Sequence, residues 1–249
     1  MTAANGGRVA LVTGASRGLG GVIARRLAAE GWAVAVNHRS SAGEAGAVVE
    51  RIRADGGAAE AFAADVTDDT EAPALVERVA GRLGPVTALV LNATGPQPAV
   101  PVEDLTWEAH LDQLRFFVKS PTLLVRAALP GMRAAGGGRV IQIGSDIVDR
   151  ALPGMSAYTA AKAAQFGLTR TWARELGPHG ITVNLVAPGW IPVERHAHHG
   201  PEDIAAYRDD VPLGRMGTPE DVAATVAFLA SDAASFVTGE RVTVNGGHT

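Results

Sequence analysis

A doubly wound α/β fold, with a mostly parallel seven-stranded sheet and helices on both faces, is what this sequence predicts. Three observations carry that prediction. Short apolar runs alternate with longer stretches of helical spacing along all 249 residues. The apolar runs are continuous in valine, leucine and isoleucine, as strands covered on both faces are. A glycine-rich turn follows the first run and opens the first helical stretch.

The seven strand candidates are RVALVTG, WAVAVN, AAEAFAADV, TALVLN, GRVIQIGS, ITVNLVAPG and RVTVNGG. Helical stretches lie between them. The first covers 19–30, where Leu19, Val22, Ile23, Arg26 and Leu27 share a face and Gly31 is placed to end the helix. The others cover 42–54, 69–82, 107–135, 157–175 and 219–230. Gly136–Gly138 reads as a turn between helix and strand. No repeat, low-complexity run or linker divides the chain, so one domain is expected over 1–249. The least regular stretch, about 188–212, is rich in Pro, His and Gly and follows a strand. Ligands of open α/β sheets bind at the carboxyl ends of strands, so this stretch is expected to be a substrate loop with some helix of its own.

Composition narrows the function classes. With 47% hydrophobic and 19% charged residues the chain reads as globular and soluble. A net charge of −4 leaves no basic footprint for nucleic acid. There is no cysteine, which excludes disulfides, thiolate zinc sites and a cysteine nucleophile. No run is apolar enough for a membrane span, and the N-terminus lacks a secretory pattern; a cytoplasmic location is expected.

The glycine turn reads LVTGASRGLGG. Gly14, Gly18 and Gly20 stand where backbone must turn sharply and approach a ligand. The helix they open offers unpaired N–H groups and the positive end of its dipole to a pyrophosphate. Between strand and helix, this pattern predicts a dinucleotide-binding Rossmann fold. Ser16, Arg17 and Leu19 belong to the same loop. NAD enzymes place an acid after the second strand for the ribose 2′-OH. Here Asn37, His38, Arg39 and Ser40 stand instead. Arg39 and Arg17 suit a 2′-phosphate, so NADP(H) is preferred over NAD(H). Asp65, followed by Val66, fits two roles equally: a bond to the adenine amino group, or a helix N-cap. Asn92 and Ala93 end the fourth strand beside the cofactor, with Asn92 facing the ribose side.

One helical face carries Tyr158 and Lys162, four residues apart, in SAYTAAKAA, and Ser145 precedes them in IQIGSDIVD. These motifs jointly resemble the short-chain dehydrogenase/reductase family, and within it the 3-oxoacyl-carrier-protein-reductase-like group. The resemblance covers almost the whole chain: TGASRGLG at 13–20, Asp65-Val66, Ser145, the Tyr158/Lys162 pair, NLVAPG at 184–189, and VTGERVTVNGG. It implies a nicotinamide-dependent carbonyl reductase or alcohol dehydrogenase, with Ser145, Tyr158 and Lys162 as the catalytic set. A phenol titrates near 10, so it is a poor acid–base at neutral pH unless a nearby ammonium favours the phenolate. Lys162 would do that and also reach the ribose hydroxyls, while Ser145 holds the substrate oxygen.

Three departures from the family stand out. Phe117 falls where an Asn commonly helps hold a proton-relay water, which leaves that relay to a backbone carbonyl or a neighbour such as Gln113. The ribose loop reads Leu91-Asn92-Ala93-Thr94. Val193 stands where a threonine often contacts the carboxamide, beyond Pro188 and Gly189, passing that contact to the backbone of Ile191. His196, His198 and His199, with Glu194, lack the spacing of a metal site and are read as loop histidines, with no metal. Trp190, Tyr207 and Met216 serve equally as pocket lining or as core and lid.

The expectation is an NADPH-dependent reductase of a ketone or 3-oxoacyl-type carbonyl, its substrate a small molecule or carrier-bound. The alternatives are an alcohol dehydrogenase working in the oxidative direction and a low-turnover NADP-binding regulatory protein. From the resemblance, a homotetramer or homodimer is expected, pairing helices such as that in LTWEAHLDQLRFFVKS.

Overall fold

The computed structural model describes residues 7–194 and 200–249. All seven strands form: β1 (Val9–Val12), β2 (Ala33–His38), β3 (Ala58–Ala63), β4 (Val86–Leu91), β5 (Gly138–Ile143), β6 (Ile181–Pro188) and β7 (Arg241–Val244). They make one sheet in the order β3-β2-β1-β4-β5-β6-β7, every pair parallel. The chain runs outward from β1 to β3, then returns to lay β4 against the other side of β1. That reversal opens a crevice at the carboxyl ends of β1 and β4.

The helices are α1 (Gly18–Ala29), α2 (Ala42–Ala54), α3 (Glu71–Leu83), α4 (Trp107–Leu114), α5 (Ser120–Ala134), the short α6 (Ile147–Arg150), α7 (Ser156–Leu176), α8 (Pro201–Asp209) and α9 (Pro219–Ala230). Strand alternation sends Ala10 and Val12 to one face of the sheet and Val9 and Leu11 to the other. The first face packs on Ile23 and Leu27 of α1 and Val226 of α9. The second packs on Leu75 of α3, Leu124 of α5 and Leu176 of α7. Each such fully buried side chain stabilises the fold by roughly 1.5–3 kcal/mol, which is why a chain without cross-links holds its sheet.

One predicted element differs. The single helix expected over 107–135 is interrupted by a π-turn at Arg115–Lys119. Pro121 has no N–H to give the carbonyl four residues back, so the ladder slips and Ser120 N–H bonds to the Arg115 carbonyl instead. The substrate loop contains α8, and its residues 195–199, three of the histidines among them, lie outside the described residues.

Candidate active site

The glycine loop between β1 and α1 is clamped from both sides. Asn37, at the end of β2 and 2% exposed, accepts the Gly14 N–H on Oδ1 (3.2 Å). Its Nδ2 donates to the carbonyls of His38, Phe62 and Ala64 at 3.2–3.3 Å. On the other side Asn92 Nδ2 donates to the carbonyls of Thr13 (2.9 Å) and Gly14 (3.1 Å). Thr13 Oγ1 accepts the N–H groups of Asn92 and Ala93 at 2.9 and 3.0 Å. Both asparagine side chains thus help hold the loop.

A cradle results. A Cβ on Gly20 would lie 2.4 Å from the Gly14 carbonyl oxygen and 2.5 Å from Asn92 Nδ2, so only glycine lets α1 start this close to the loop. Gly14 takes φ +60, a left-handed conformation. Arg17, the N-cap of α1, makes no side-chain cap bond, and no acid stands in the first turn. The positive helix end is therefore left open to an anion.

The loop forms one wall of a cavity of about 700 Å³. Of the catalytic and cofactor-binding residues singled out in the sequence, all but His38 line it: the loop residues Gly14 to Gly20 apart from buried Ala15; Asn37, Arg39 and Ser40; Asp65 and Val66; Asn92 and Ala93; Ser145, Tyr158 and Lys162; and Pro188, Gly189 and Ile191. His38 is turned away and buried, its Nδ1 without a hydrogen-bond partner. This volume, cradle and open helix end fit a nicotinamide dinucleotide.

Both rim arginines are held by acids. Arg17 Nη1 lies 3.1 Å from Glu44 and Arg39 Nη1 lies 3.7 Å from Asp65, with Asp65 half-buried and the other three side chains exposed. Exposed pairs of this kind contribute little and exchange readily for another anion. Asp65 also takes the Thr67 N–H (2.9 Å) and hydroxyl (2.7 Å) on Oδ1. Partial burial works against its charge, but these bonds and Arg39 prevail and hold its carboxyl below the usual range. The cap for α3 comes from Asp68, whose Oδ1 accepts the N–H groups of Thr70 and Glu71.

Across the cavity, Tyr158 sits in the first turn of α7 and Lys162 one turn further. Lys162, 5% exposed, donates from Nζ to the carbonyl of Ile143 at the end of β5 (2.7 Å). The π-turn presents Phe117 to it: Nζ lies 3.7 Å from the Phe117 ring centroid and 5.6 Å from that of Tyr158. Phe117 and Tyr158 meet edge to face, centroids 5.6 Å apart. Ser145, two residues beyond β5, accepts the Ile147 N–H on Oγ at 3.1 Å.

The far wall is stitched by the C-terminal residues. Gly189 N–H bonds to the Val244 carbonyl (3.1 Å) and Leu213 N–H to that of Gly246 (3.2 Å). Asn245 Nδ2 reaches Asp146, the neighbour of Ser145, at 3.3 Å. Burial raises the Asp146 carboxyl above its ordinary range, against the pull of that bond. Trp190 lines the cavity; Tyr207 stands behind it, accepting the Trp190 N–H on its oxygen at 2.8 Å. Met216 is not among the lining residues. Asp146, Arg150 and the α4-side residues Pro96, Gln97 and Phe116 also line the cavity and were not singled out as cavity residues from sequence; loop carbonyls and turns carry no period to read. Among the described residues no helix is long and apolar enough to cross a membrane, and no cluster could hold a metal ion.

This glycine cradle facing a Tyr/Lys helix defines an oxidoreductase of the short-chain dehydrogenase/reductase family, and the chain belongs to it. The family model described as enoyl-(acyl carrier protein) reductase matches residues 14–249. The 3-oxoacyl-acyl-carrier-protein reductase of Escherichia coli K12 is 37% identical over 243 residues, 97% of each chain. A blue fluorescent protein from a metagenomic library, solved with NADPH, is 38% identical with a TM-score of 0.90, covering 100% of both chains. A gluconate 5-dehydrogenase of Burkholderia cenocepacia, solved with NADP and tartrate, is 30% identical with a TM-score of 0.90, covering 97% of this chain and 95% of that one.

Proposed function

We propose that this chain is an NADPH-dependent reductase of a ketone or 3-oxoacyl-type carbonyl, free or carrier-bound, acting reversibly. The observation that carries the reading is the Tyr158/Lys162 pair set in the wall of the same cavity as the glycine cradle. The relatives that bear reductase and dehydrogenase names, and the NADPH and NADP bound to two solved neighbours, support it.

Bound NADPH would supply the hydride. The cradle at Gly14, Gly18 and Gly20 would seat its pyrophosphate, and Arg17 and Arg39 would exchange Glu44 and Asp65 for its 2′-phosphate. Ser145 accepts the Ile147 N–H on Oγ and keeps its own O–H to donate to the substrate carbonyl. Tyr158 would give its proton to the oxygen of the reduced carbonyl. The Lys162 ammonium, and the positive end of α7 on which Tyr158 sits, stabilise the phenolate left behind. Closing the cavity with cofactor and substrate removes water and strengthens both effects.

The test is NADPH oxidation over a panel of ketones and β-keto thioesters. Tyr158→Phe is expected to abolish turnover and leave NADPH affinity within about twofold of the wild type; appreciable remaining turnover would refute the assignment. Arg39→Ala is expected to lower kcat/KM for NADPH and spare NADH, and an equal loss with both would remove the 2′-phosphate role. The reading also includes a cytoplasmic homotetramer or homodimer, for which exposed Trp107 on α4 is a contact candidate; a monomer by light scattering would overturn that part.

A further inference from the structure

Four cationic side chains line the large cavity: Arg17, Arg39, Arg150 and Lys162. Three of them are engaged. Arg17 and Arg39 pair with Glu44 and Asp65 on the rim, and Lys162 donates to the Ile143 carbonyl. Arg150 is different. It ends α6, the short helix that begins two residues after Ser145. Among the described residues its side chain makes no hydrogen bond and no ion pair. It is half-buried, with the guanidinium carbon 5.1 Å from the Tyr207 ring centroid. Tyr207 also backs Trp190, their rings edge to face at 5.3 Å. One tyrosine thus supports both a cation and an indole of the cavity wall.

The acids nearby are committed to other partners. Asp149 pairs with Arg241 of β7. Asp146 is 2% exposed, accepts from Asn245 Nδ2 at 3.3 Å and lies 3.9 Å from His248 Nδ1. It attracts Arg150 without forming a pair with it. The backbone adds a second sign. Ala151 takes φ +47 and ψ +53, and among the described residues it is the only non-glycine with positive φ. Strain of this kind gathers at ligand clamps. Here it stops α6 at Arg150, while the Asp149–Arg241 pair and the Ile147 N–H bond to Ser145 Oγ fix the helix to β7 and to Ser145.

We propose that Arg150 determines the specificity of this site, and that the substrate is an oxo acid whose carboxylate Arg150 binds. The proposal rests on the reductase reading above. A guanidinium presents a planar fork of N–H donors that matches the two oxygens of a carboxylate. Arg150 stands one turn of α6, about 5 Å, beyond Ile147, whose N–H bonds to Ser145. A carboxylate on Arg150 therefore lies several bonds from the carbonyl that Ser145 holds. The Tyr207 ring behind the guanidinium keeps it in the wall, where its donors meet the substrate and not bulk water.

The probes are acetoacetate and its longer straight-chain homologues, each beside its methyl ester, with NADPH oxidation as the readout. In the wild type at least one acid is expected to exceed its ester in kcat/KM by about tenfold or more. Arg150→Met keeps an unbranched stem and removes the charge. It is expected to lower kcat/KM for that acid by about tenfold to hundredfold, chiefly through KM, and for the ester by no more than about threefold. Arg150→Lys keeps the charge without the fork and is expected to retain part of the preference. NADPH affinity by fluorescence titration is expected to stay within about twofold of wild type in both variants. An ester that matches or exceeds every acid in the wild type would overturn the proposal. So would a preference that survives Arg150→Met, or an equal loss for acid and ester, which would leave Arg150 a support for Tyr207 and nothing more. Ketone turnover without preference for acids leaves the reductase reading standing. No turnover of any carbonyl by the wild type refutes that reading and this proposal with it, so the two failures are distinguishable.

Discussion

Asn37→Asp separates two accounts of how this chain chooses its cofactor. Read on sequence pattern alone, an acid after the second strand converts an NADP site to an NAD site. The geometry gives a different outcome. The Asn37 amide donates to three carbonyls at 3.2–3.3 Å in a position 2% exposed to solvent. A carboxylate there would lose those donated bonds, at about 2 kcal/mol, and would stand as an uncompensated buried charge, at about 3 kcal/mol or more. The sum is about 5 kcal/mol. At roughly 2–4 °C per kcal/mol for a chain of this size, Tm should fall by about 10–20 °C. Circular-dichroism melts, paired with kcat/KM for NADH and NADPH, read both quantities. A variant with wild-type Tm and a gain in NADH preference would refute the reasoning, because it would mean that the side chain faces the ribose and not the loop.

Other outcomes follow from the same geometry. Gly20→Ala forces a methyl against the Gly14 carbonyl and should cost about 1–3 kcal/mol of stability, with NADPH affinity by fluorescence titration falling alongside. Asp221 caps α9 with Thr218 and pairs with Arg215, which holds its carboxyl well below the usual carboxylate range. A depressed carboxyl stabilises the fold above its unfolded value and loses that contribution as pH falls toward the folded one. Asp221→Asn should therefore lose about 1 kcal/mol at neutral pH, with the difference from wild type shrinking below about pH 4 in urea titrations run across pH. Asp146 runs the other way, since burial raises it. Asp146→Asn should gain stability at neutral pH and lose that advantage in acid, by the same measurement.

The order of strands and helices was legible because parallel strands are apolar on both faces and helices keep their spacing. The glycine cradle was legible because close approach leaves only glycine at positions such as 20. Two things were not. Asn37 and Asn92 stand at strand ends in the cavity wall, and nothing in the sequence shows that their amides also hold the loop; a side chain's direction at a strand end is set by tertiary neighbours and has no sequence period. Asp65 and Asp68 both stand in DVTD, and spacing alone does not say which one caps the helix. The break at 115–119 did leave a sign, Pro121 inside a helical run, though a proline marks an irregularity and does not specify a π-turn.

The residues at the end of β7 and just beyond it have a bearing on how the protein is handled. Val244, Asn245 and Gly246 bond respectively to Gly189 on the β6 exit, to Asp146 beside Ser145, and to Leu213 of the 188–212 stretch. Two walls of the cavity and the stretch leading away from it thus share a single short anchor. Trimming this stretch for crystallisation, or splicing a fusion directly onto Asn245, would slacken the floor under Ser145 together with the loop opposite. A purification handle placed ahead of β1 leaves these three bonds untouched.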